Sequence, residues 1–277
     1  MEESWRSEHL SEVMTGNVIR VLTDNTLLHA QFLITESKLT RLVVTDDSSR
    51  LRGIITRRDI VRFLSRDKTG RPLDAIKVKE CMSTPVIDLQ PTDTLVEGAR
   101  VMTRKGISSI VVTDGHSQIL GIVTKTDLCY HYAQSKSRTK VKEYMAHKVF
   151  TVRPTHSIFF VASLLAQQGI SRVPVVDDRL LGIITLSDII SKAPLMRPDV
   201  MEGRKREAIH TLAKLTSMTA VSVMTSKPLT VTPEEPLSKA AKLMIDHGIS
   251  GLPVTDRKGN LRSIITKTDI IRAMAAD

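Results

Sequence analysis

The sequence has little cysteine, few aromatic residues and no long apolar run. Cys81 and Cys129 are the only cysteines, and they lie far apart without CxxC spacing. This excludes a disulfide scaffold and a cysteine zinc site, and we expect both thiols to be buried as small apolar side chains. Five Phe, three Tyr and one Trp leave little material for the base-stacking platforms of single-strand nucleic-acid binders.

Segments for membrane insertion are also missing. No window of 18 or more apolar residues occurs, and the start, MEESWRSEHL, has neither an apolar core nor a cleavage site. Hydrophobic residues nevertheless make up 41% of the chain, which is enough for a packed core. We therefore expect a globular cytoplasmic protein with no membrane partner.

Catalytic and metal-binding motifs are absent as well. The eight histidines form no HExxH motif and lie beside no recognisable nucleophile. The G-x-x-x-x-G-K-[ST] motif that binds nucleoside triphosphates is also absent. We predict no catalytic residue, no metal site and no enzyme activity.

The charge is more informative. Forty basic against thirty acidic side chains give a net charge of +10, which favours anionic partners. Between positions 50 and 71 eight side chains are basic: Arg50, Arg52, Arg57, Arg58, Arg62, Arg66, Lys68 and Arg71. A solvated basic face explains this stretch without nucleic acid, but RNA or DNA binding is kept as an alternative function.

One octet occurs four times: GIITRRDI from Gly53, GIVTKTDL from Gly121, GIITLSDI from Gly182 and SIITKTDI from Ser263. Each octet follows an apolar strand ending in Asp (RLVVTD, SIVVTD, RVPVVD, GLPVTD), and each strand follows a segment containing Met. The interval from this Met to the octet Asp is 45, 45, 43 and 45 residues (59−14, 127−82, 188−145 and 269−224). The deficit in the third copy falls in VVDDRLLG, which predicts a shorter hairpin turn.

Each repeat is predicted to form a short strand, an amphipathic helix, a two-stranded hairpin and a second helix. The predicted fold class is α/β (α+β), with four β-α-β-β-α repeats at 7–66, 75–134, 138–193 and 217–277. We predict a linker at 194–216 between repeats 3 and 4, with a helix at about 206–215. So small a sheet cannot bury both faces alone, so we expect repeat 1 to pack with repeat 2 and repeat 3 with repeat 4.

With these motifs in view, the chain resembles the cystathionine-β-synthase (CBS) domain family. The resemblance rests on the MTxxP-like start, the GIS-x-hPVxD stretch and G-h-h-T-x-x-D taken together, and it covers nearly the whole chain. It implies two paired units, called Bateman modules, in a flat disk. The layout is similar to that of the regulatory γ subunit of the AMP-activated protein kinase and of stand-alone archaeal relatives.

The resemblance implies that AMP, ADP or ATP binds in clefts between paired repeats. The ribose would be held by the motif aspartates, Asp59, Asp127, Asp188 and Asp269. An Asp can accept from both ribose hydroxyls, and a Thr at a helix start offers a hydroxyl and free backbone amides. The same Thr-x-x-Asp spacing is also that of a helix capping box, so each copy has a purely structural interpretation.

Further ligand contacts follow from the same resemblance. Phosphate or hydroxyl contacts are expected at Thr56, Arg57, Arg58, Thr124, Lys125, Thr126, Thr185, Ser187, Thr266, Lys267, Thr268, Arg41, Arg172, Ser171 and Ser250. Adenine contacts are expected at Val18, Thr84, Val86, Lys227 and Leu229. The family's histidine before the phosphate-binding arginine is missing from all four copies, which leaves the number of phosphates open. Ser263 replaces the glycine of the other octets, which puts a close backbone approach there in doubt.

Candidate partners are adenine nucleotides, an unidentified regulated protein, a second copy in a homodimer and nucleic acid. S-adenosylmethionine or another adenosyl compound is an alternative ligand, because it would use the same ribose contact. No effector domain accompanies the repeats, so we expect regulation to act on another chain.

Overall fold

The computed structural model describes residues 4–37, 39–67, 69, 71–115, 118–192 and 218–276. The predicted linker at 194–216 and its predicted helix therefore lie outside the described residues. Among the helices that are described, none has the length and apolar character needed to cross a membrane.

The predicted order of helix, hairpin and helix recurs in all four repeats, and repeats 1 and 2 also contain the predicted first strand. Repeat 1 contains α1 (Leu10–Val13), β1 (Arg20–Leu22), α2 (Leu27–Glu36), β2 (Arg41–Thr45), β3 (Leu51–Thr56) and α3 (Arg57–Arg66). Repeat 2 contains α4 (Val78–Cys81), β4 (Asp88–Leu89), α5 (Leu95–Lys105), β5 (Ser109–Thr113), β6 (Ile119–Thr124) and α6 (Lys125–Ala133). Short 3-10 helices at Ser4–Arg6 and Leu73–Ala75 precede α1 and α4.

The second half of the chain repeats this order. Repeat 3 contains α7 (Val141–Tyr144), α8 (Ile158–Gln168), β7 (Arg172–Val176), β8 (Leu180–Thr185) and α9 (Leu186–Lys192). Repeat 4 contains α10 (Ala220–Val223), β9 (Thr225–Ser226), α11 (Leu237–Asp246), β10 (Gly251–Thr255), β11 (Leu261–Thr266) and α12 (Lys267–Ala276). Where repeats 1 and 2 have a short parallel first strand, these repeats have single parallel bridges, Val152 to Val175 and Val231 to Val254.

The hairpins explain the unequal spacing of the motifs. Strands β2, β5 and β10 pair antiparallel with β3, β6 and β11 across five-residue turns, such as 46–50. Strands β7 and β8 are joined by 177–179 alone, which confirms the shorter turn predicted for repeat 3. Strands β5 and β10 are buried at every position, as expected of short apolar runs covered on both faces.

The chain divides into two compact units, Met1–Tyr132 with Ile271–Asp277, and Ala133–Ile270. Repeats 1 and 2 lie in the first unit, and repeat 3 lies in the second together with the part of repeat 4 that ends at Ile270. The predicted sequential pairing is therefore confirmed.

Within each unit the paired repeats exchange their leading segments, a feature that the sequence did not predict. The segment after Met14 runs along β6 of repeat 2, where Thr15 bridges Ile122. The segment after Met82 runs along β3 of repeat 1, where Ser83 bridges Ile54. In the second unit Ala146 N donates to Ile264 O at 3.0 Å, and β9 of repeat 4 pairs with β8 of repeat 3. The leading segment of each repeat therefore makes backbone hydrogen bonds to the last strand of its partner.

In three repeats a glycine lies where the exchanged segment crosses the last strand. A Cβ atom at Gly53 would lie 2.5 Å from Sδ of Met82, and one at Gly121 would lie 2.6 Å from Sδ of Met14. Ser263, at the matching position of repeat 4, is fully buried, and its hydroxyl donates to Ala146 O at 2.6 Å. The close approach doubted from the sequence is therefore kept in repeat 4, where a hydrogen bond accommodates the extra side chain.

Candidate functional site

The Thr-x-x-Asp motif forms the start of the last helix in every repeat. In all four copies the Asp Oδ2 accepts the backbone N–H and the hydroxyl of the motif Thr, at 2.6–2.9 Å. In repeats 1 and 3 the Thr oxygen in turn accepts the backbone N–H of the Asp at 3.2 Å. One carboxylate oxygen of each Asp therefore caps a helix, which is the structural interpretation of the motif. The other oxygen decides what else the Asp can bind.

The backbone amides at these helix starts are less available than the sequence led us to expect. The first amide of each last helix donates to a carbonyl of the residue before the hairpin, at 3.0–3.2 Å: Arg57 to Thr40, Lys125 to Ser108, Leu186 to Ser171 and Lys267 to Ser250. In repeat 2 the next amide, that of Thr126, donates to Oγ1 of Thr124 at 3.2 Å. The prediction of free amides is therefore wrong for the first amide of all four helices and for the second amide in repeat 2.

Arg41 reaches from β2 of repeat 1 toward the motif aspartate of repeat 2. Its Nη1 donates to Oγ of Ser108 at 3.2 Å, and its Nε donates to Oγ1 of Thr40 at 3.2 Å. Burial lowers the pKa of the Arg41 guanidinium from its usual value, and attraction to the Asp127 carboxylate opposes that shift. Arg41 is thus a partly desolvated cation that faces Asp127.

Arg172 makes the equivalent arrangement in the second unit. Its Nη2 donates to Oγ of Ser250 at 2.6 Å and to Oγ of Ser171 at 3.4 Å. Burial lowers the pKa of Arg172, and attraction to Asp269 opposes this. Its Nε is buried and has no hydrogen-bond acceptor. The two predicted serines therefore position this arginine.

These arrangements make the two aspartates of each unit unequal. Arg41 interacts with Asp127 and Arg172 with Asp269, so each arginine meets the motif aspartate of the partner repeat. At the positions matching the arginines, repeats 2 and 4 have Ser109 and Gly251. In each unit, one motif Asp therefore faces an arginine contributed by the partner repeat.

The predicted adenine contacts belong to the leading segments, so those of each repeat lie against its partner repeat. Val43, Val111 and Ile119 form a buried cluster between repeats 1 and 2, and further apolar side chains pack against it: Val18, Leu51, Ile54, Val86 and Ile122. Because the leading segments are exchanged, Val86 lies beside β3 and Val18 lies beside β6. Thr84 and Val86 also line a depression of about 580 Å³ with Met82, Leu51 and Arg52.

In the second unit the leading segment of repeat 4 also runs along the last strand of its partner, repeat 3. Lys227 has a positive φ of 48° and its N–H donates to Leu181 O of repeat 3 at 3.2 Å. The Leu229 side chain is 41% exposed, so its apolar surface is accessible.

The remaining predicted contacts differ in exposure. Exposed side chains at the helix starts are Arg57, Arg58, Thr126, Ser187 and Thr268, whereas Lys125 and Lys267 are half-buried. In the described ranges no group of three or more His, Cys, Asp or Glu side chains is arranged to hold a metal ion.

Sequence reasoning missed two neighbours of Asp59. Its second oxygen, Oδ1, accepts from Nη2 of Arg62 and from Oγ of Ser83, the latter at 3.1 Å. The spacing of Asp59 and Arg62, three residues apart on a helix, was a signal for an ion pair. No comparable signal existed for Ser83, which approaches only because the leading segments are exchanged.

Comparison with known proteins agrees with the four repeats. The family model described as CBS domain matches residues 10–66, 78–134, 141–194 and 220–276. A relative of similar length is the uncharacterized protein MJ1225 of Methanocaldococcus jannaschii, 27% identical over 93% of this chain and 95% of its own. Its crystal structure, described as that of a candidate archaeal homologue of γ-AMPK, has a TM-score of 0.77 at 23% identity, covering 96% of this chain and 100% of that one. This likeness shows the fold.

Two solved CBS-domain pairs contain adenosine compounds. The pair of protein MJ0100 was solved with 5′-methylthioadenosine and S-adenosyl-L-methionine; it is 30% identical over 50% of this chain and 98% of its own, with a TM-score of 0.40. CBSX2 was solved with AMP; it is 25% identical over 48% of this chain and 94% of its own, with a TM-score of 0.40. These ligands are properties of those two proteins.

Proposed function

The chain belongs to the CBS-domain family, and from this premise we propose that it is a non-catalytic sensor of adenine nucleotides. AMP, ADP or ATP binds in clefts between paired repeats. The ribose hydroxyls bind the outer oxygen of Asp127 or Asp269, and the phosphate binds Arg41 or Arg172. The adenine lies against the exchanged leading segment, at Val18 in the first unit.

The observation that carries this proposal is the placement of the two arginines. Each is partly buried beside a motif Asp, and burial lowers its pKa, so the cation is only partly compensated. Charge-assisted hydrogen bonds from a guanidinium to phosphate are among the strong ones, and a fixed guanidinium loses little freedom on binding. A phosphate beside Arg172 would also give its unpaired Nε an acceptor.

An S-adenosylmethionine sensor is the alternative of the same class. Its ribose would use the same aspartates, but its sulfonium and ammonium cations outnumber its single carboxylate. Placing them beside Arg41 or Arg172 would bring like charges together in a partly buried cleft, which is unfavourable. The arginines therefore favour a ligand with phosphate.

Nucleic-acid binding, the alternative of another class, receives less support. In the basic stretch at 50–71, Arg52 pairs with Asp46 at 2.7 Å, and Arg71 pairs with Glu80 at 2.9 Å. Arg62 pairs with Asp59. Three of its eight cations are thus already neutralised within the chain, which reduces the field available to a phosphate backbone.

Regulation by this sensor requires a regulated protein on another chain. A nucleotide stabilises the conformation that binds it better, and the regulated protein must distinguish that conformation. We place this activity in the cytoplasm, where adenine nucleotides are available.

A thermal-shift titration of the full chain with AMP, ADP, ATP, S-adenosylmethionine and GTP tests the proposal. We expect the unfolding midpoint to rise with adenine nucleotides and not with GTP, and the rise to shrink in Asp127→Asn and Asp269→Asn. Asp188→Asn is the matched control, because Asp188 makes the same helix cap and is not one of the two aspartates proposed to bind the ribose. A shift that survives in both variants, or no shift with any ligand, would contradict the proposal.

A further inference from the structure

We propose that the cleft of Asp59 is closed by the chain itself, so that the pair of repeats 1 and 2 binds one ligand, at Asp127. Arg62 and Ser83 take the carboxylate oxygen that a ribose would need. This inference rests on the proposed function, because it concerns which of the equivalent clefts is used.

The hydrogen bonds of Asp59 fill both carboxylate oxygens. Oδ2 accepts the N–H of Thr56 at 2.9 Å and its hydroxyl at 2.6 Å. Oδ1 accepts from Arg62 and, at 3.1 Å, from Ser83. A carboxylate offers about four lone-pair positions, so four donors saturate it. With both oxygens occupied, a ribose finds no free acceptor at Asp59.

Two depressions lie in the surface near Asp59 and the Met82–Ser83 segment. Asp59 and Arg62 line a depression of about 460 Å³, whereas Thr84 and Val86 line the depression of about 580 Å³. Met82 lines both depressions. The ribose-binding carboxylate and the predicted adenine wall thus open to different depressions, and the Met82–Ser83 segment, bonded to Asp59 through Ser83, separates them.

The cleft of Asp127 lacks the charged partner of this closure, although Thr15 stands where Ser83 does. Tyr130 occupies the position three residues after Asp127, and its side chain is 52% exposed. Arg41 faces Asp127 from the partner repeat instead of from the same helix. In repeat 4, Arg272 follows Asp269 by three residues, but Ala146 stands where Ser83 does and has no hydroxyl to donate. Within the pair of repeats 1 and 2, closure by an arginine on the same helix is therefore specific to Asp59.

Removal of Arg62 should open this cleft, because Asp59 Oδ1 then loses its charged partner. Equilibrium dialysis of the full chain with radiolabelled AMP measures the number of molecules bound. We expect Asp59→Asn to leave the wild-type number unchanged, Asp127→Asn to lower it by one, and Arg62→Ala to raise it by one. The added molecule should be lost again in the double variant Arg62→Ala with Asp59→Asn.

Arg104→Ala is the matched control, since Arg104 also pairs with an acid on its own helix, Glu97 at 2.9 Å, and should leave the number unchanged. Thermal unfolding checks that each variant is folded. Loss of one AMP in Asp59→Asn would overturn the inference, because the cleft would then be open in the wild type. A gain only in the double variant Ser83→Ala with Arg62→Ala would show that the serine alone keeps the cleft closed. An unchanged number in both Arg62→Ala and that double variant would overturn the inference.

The same measurement separates this inference from the proposed function. If the wild type binds no AMP but Arg62→Ala binds one, the Asp127 and Asp269 clefts are not nucleotide sites and the closure of Asp59 still holds. If neither binds, both fail.

Discussion

Arg172 lies directly against Gly251 at the junction of repeats 3 and 4. Its Nη1 occupies the place that a Cβ atom on residue 251 would take, and the carbonyl oxygen of Ile265 would lie 3.0 Å from that Cβ. The absence of a side chain at position 251 therefore lets the arginine approach Asp269. In repeat 2 the matching residue is Ser109, which is buried.

Replacement of this glycine should weaken nucleotide binding. Gly251→Ala displaces the Arg172 guanidinium, so we expect the affinity for AMP at the Asp269 cleft to fall about tenfold, roughly the worth of one charge-assisted hydrogen bond. Adenosine, which has no phosphate, should bind with unchanged affinity. Isothermal titration calorimetry of the full chain with both ligands measures this, with Ser109→Ala as the control at the matching position. Equal losses for AMP and adenosine would show that the alanine obstructs the nucleoside and not the arginine.

Loss of a motif aspartate should destabilise the protein without any ligand. In Asp188→Ala the N–H of Thr185 loses its capping acceptor, so the free energy of unfolding should fall by about 1 kcal/mol. Urea unfolding measures this. The control is Ser187→Ala on the same turn, whose exposed side chain should change stability by less than about 0.5 kcal/mol. Equal stability of Asp188→Ala and the wild type would mean that this cap contributes nothing.

The crossing glycines should differ in their tolerance of a methyl group. At Gly53 the nearest atoms to a Cβ all belong to the flexible Met82 side chain, whereas at Gly182 the carbonyl oxygen of Thr225 lies 2.9 Å away beside the Met224 side chain. We expect Gly182→Ala to cost about 1–3 kcal/mol of stability and Gly53→Ala to cost less.

Urea unfolding of double variants tests the reason for this difference. Met82→Ala should relieve Gly53→Ala, while Met224→Ala should only partly relieve Gly182→Ala, because the backbone oxygen remains. A larger cost at Gly53 than at Gly182 would refute this account.

The thiol of Cys81 should be inert in the folded protein. Burial raises its pKa from 9.0 to about 12, so at pH 8 it is the neutral thiol and not the reactive thiolate. Its contribution to folding is fully present below pH 9.0 and is lost as the pH rises toward 12, because the unfolded chain ionises first. In Cys129→Ser, Ellman's reagent should label no thiol at pH 8 until urea is added. Rapid labelling of the native variant would show that Cys81 is accessible and ionised.

The repeat pattern was enough to predict the fold of each repeat. The 45- and 43-residue intervals gave the four repeats and the short turn at 177–179, because strand and turn lengths are local properties of the chain. Thr-x-x-Asp was predicted to be either a cap or a ribose site. The structure shows the cap in all four copies, and ligand binding stays a prediction.

The sequence by itself determined the four repeats, their element order and their pairing along the chain, since local hydrophobic patterns and short connections decide these. Only the tertiary structure decided which residues meet. Exchange of the leading segments brings Ser83 to Asp59, and the packing of paired hairpins brings Arg41 toward Asp127. Such contacts depend on how the leading segment of one repeat lies along the last strand of its partner. The spacing of residues within one repeat does not predict them.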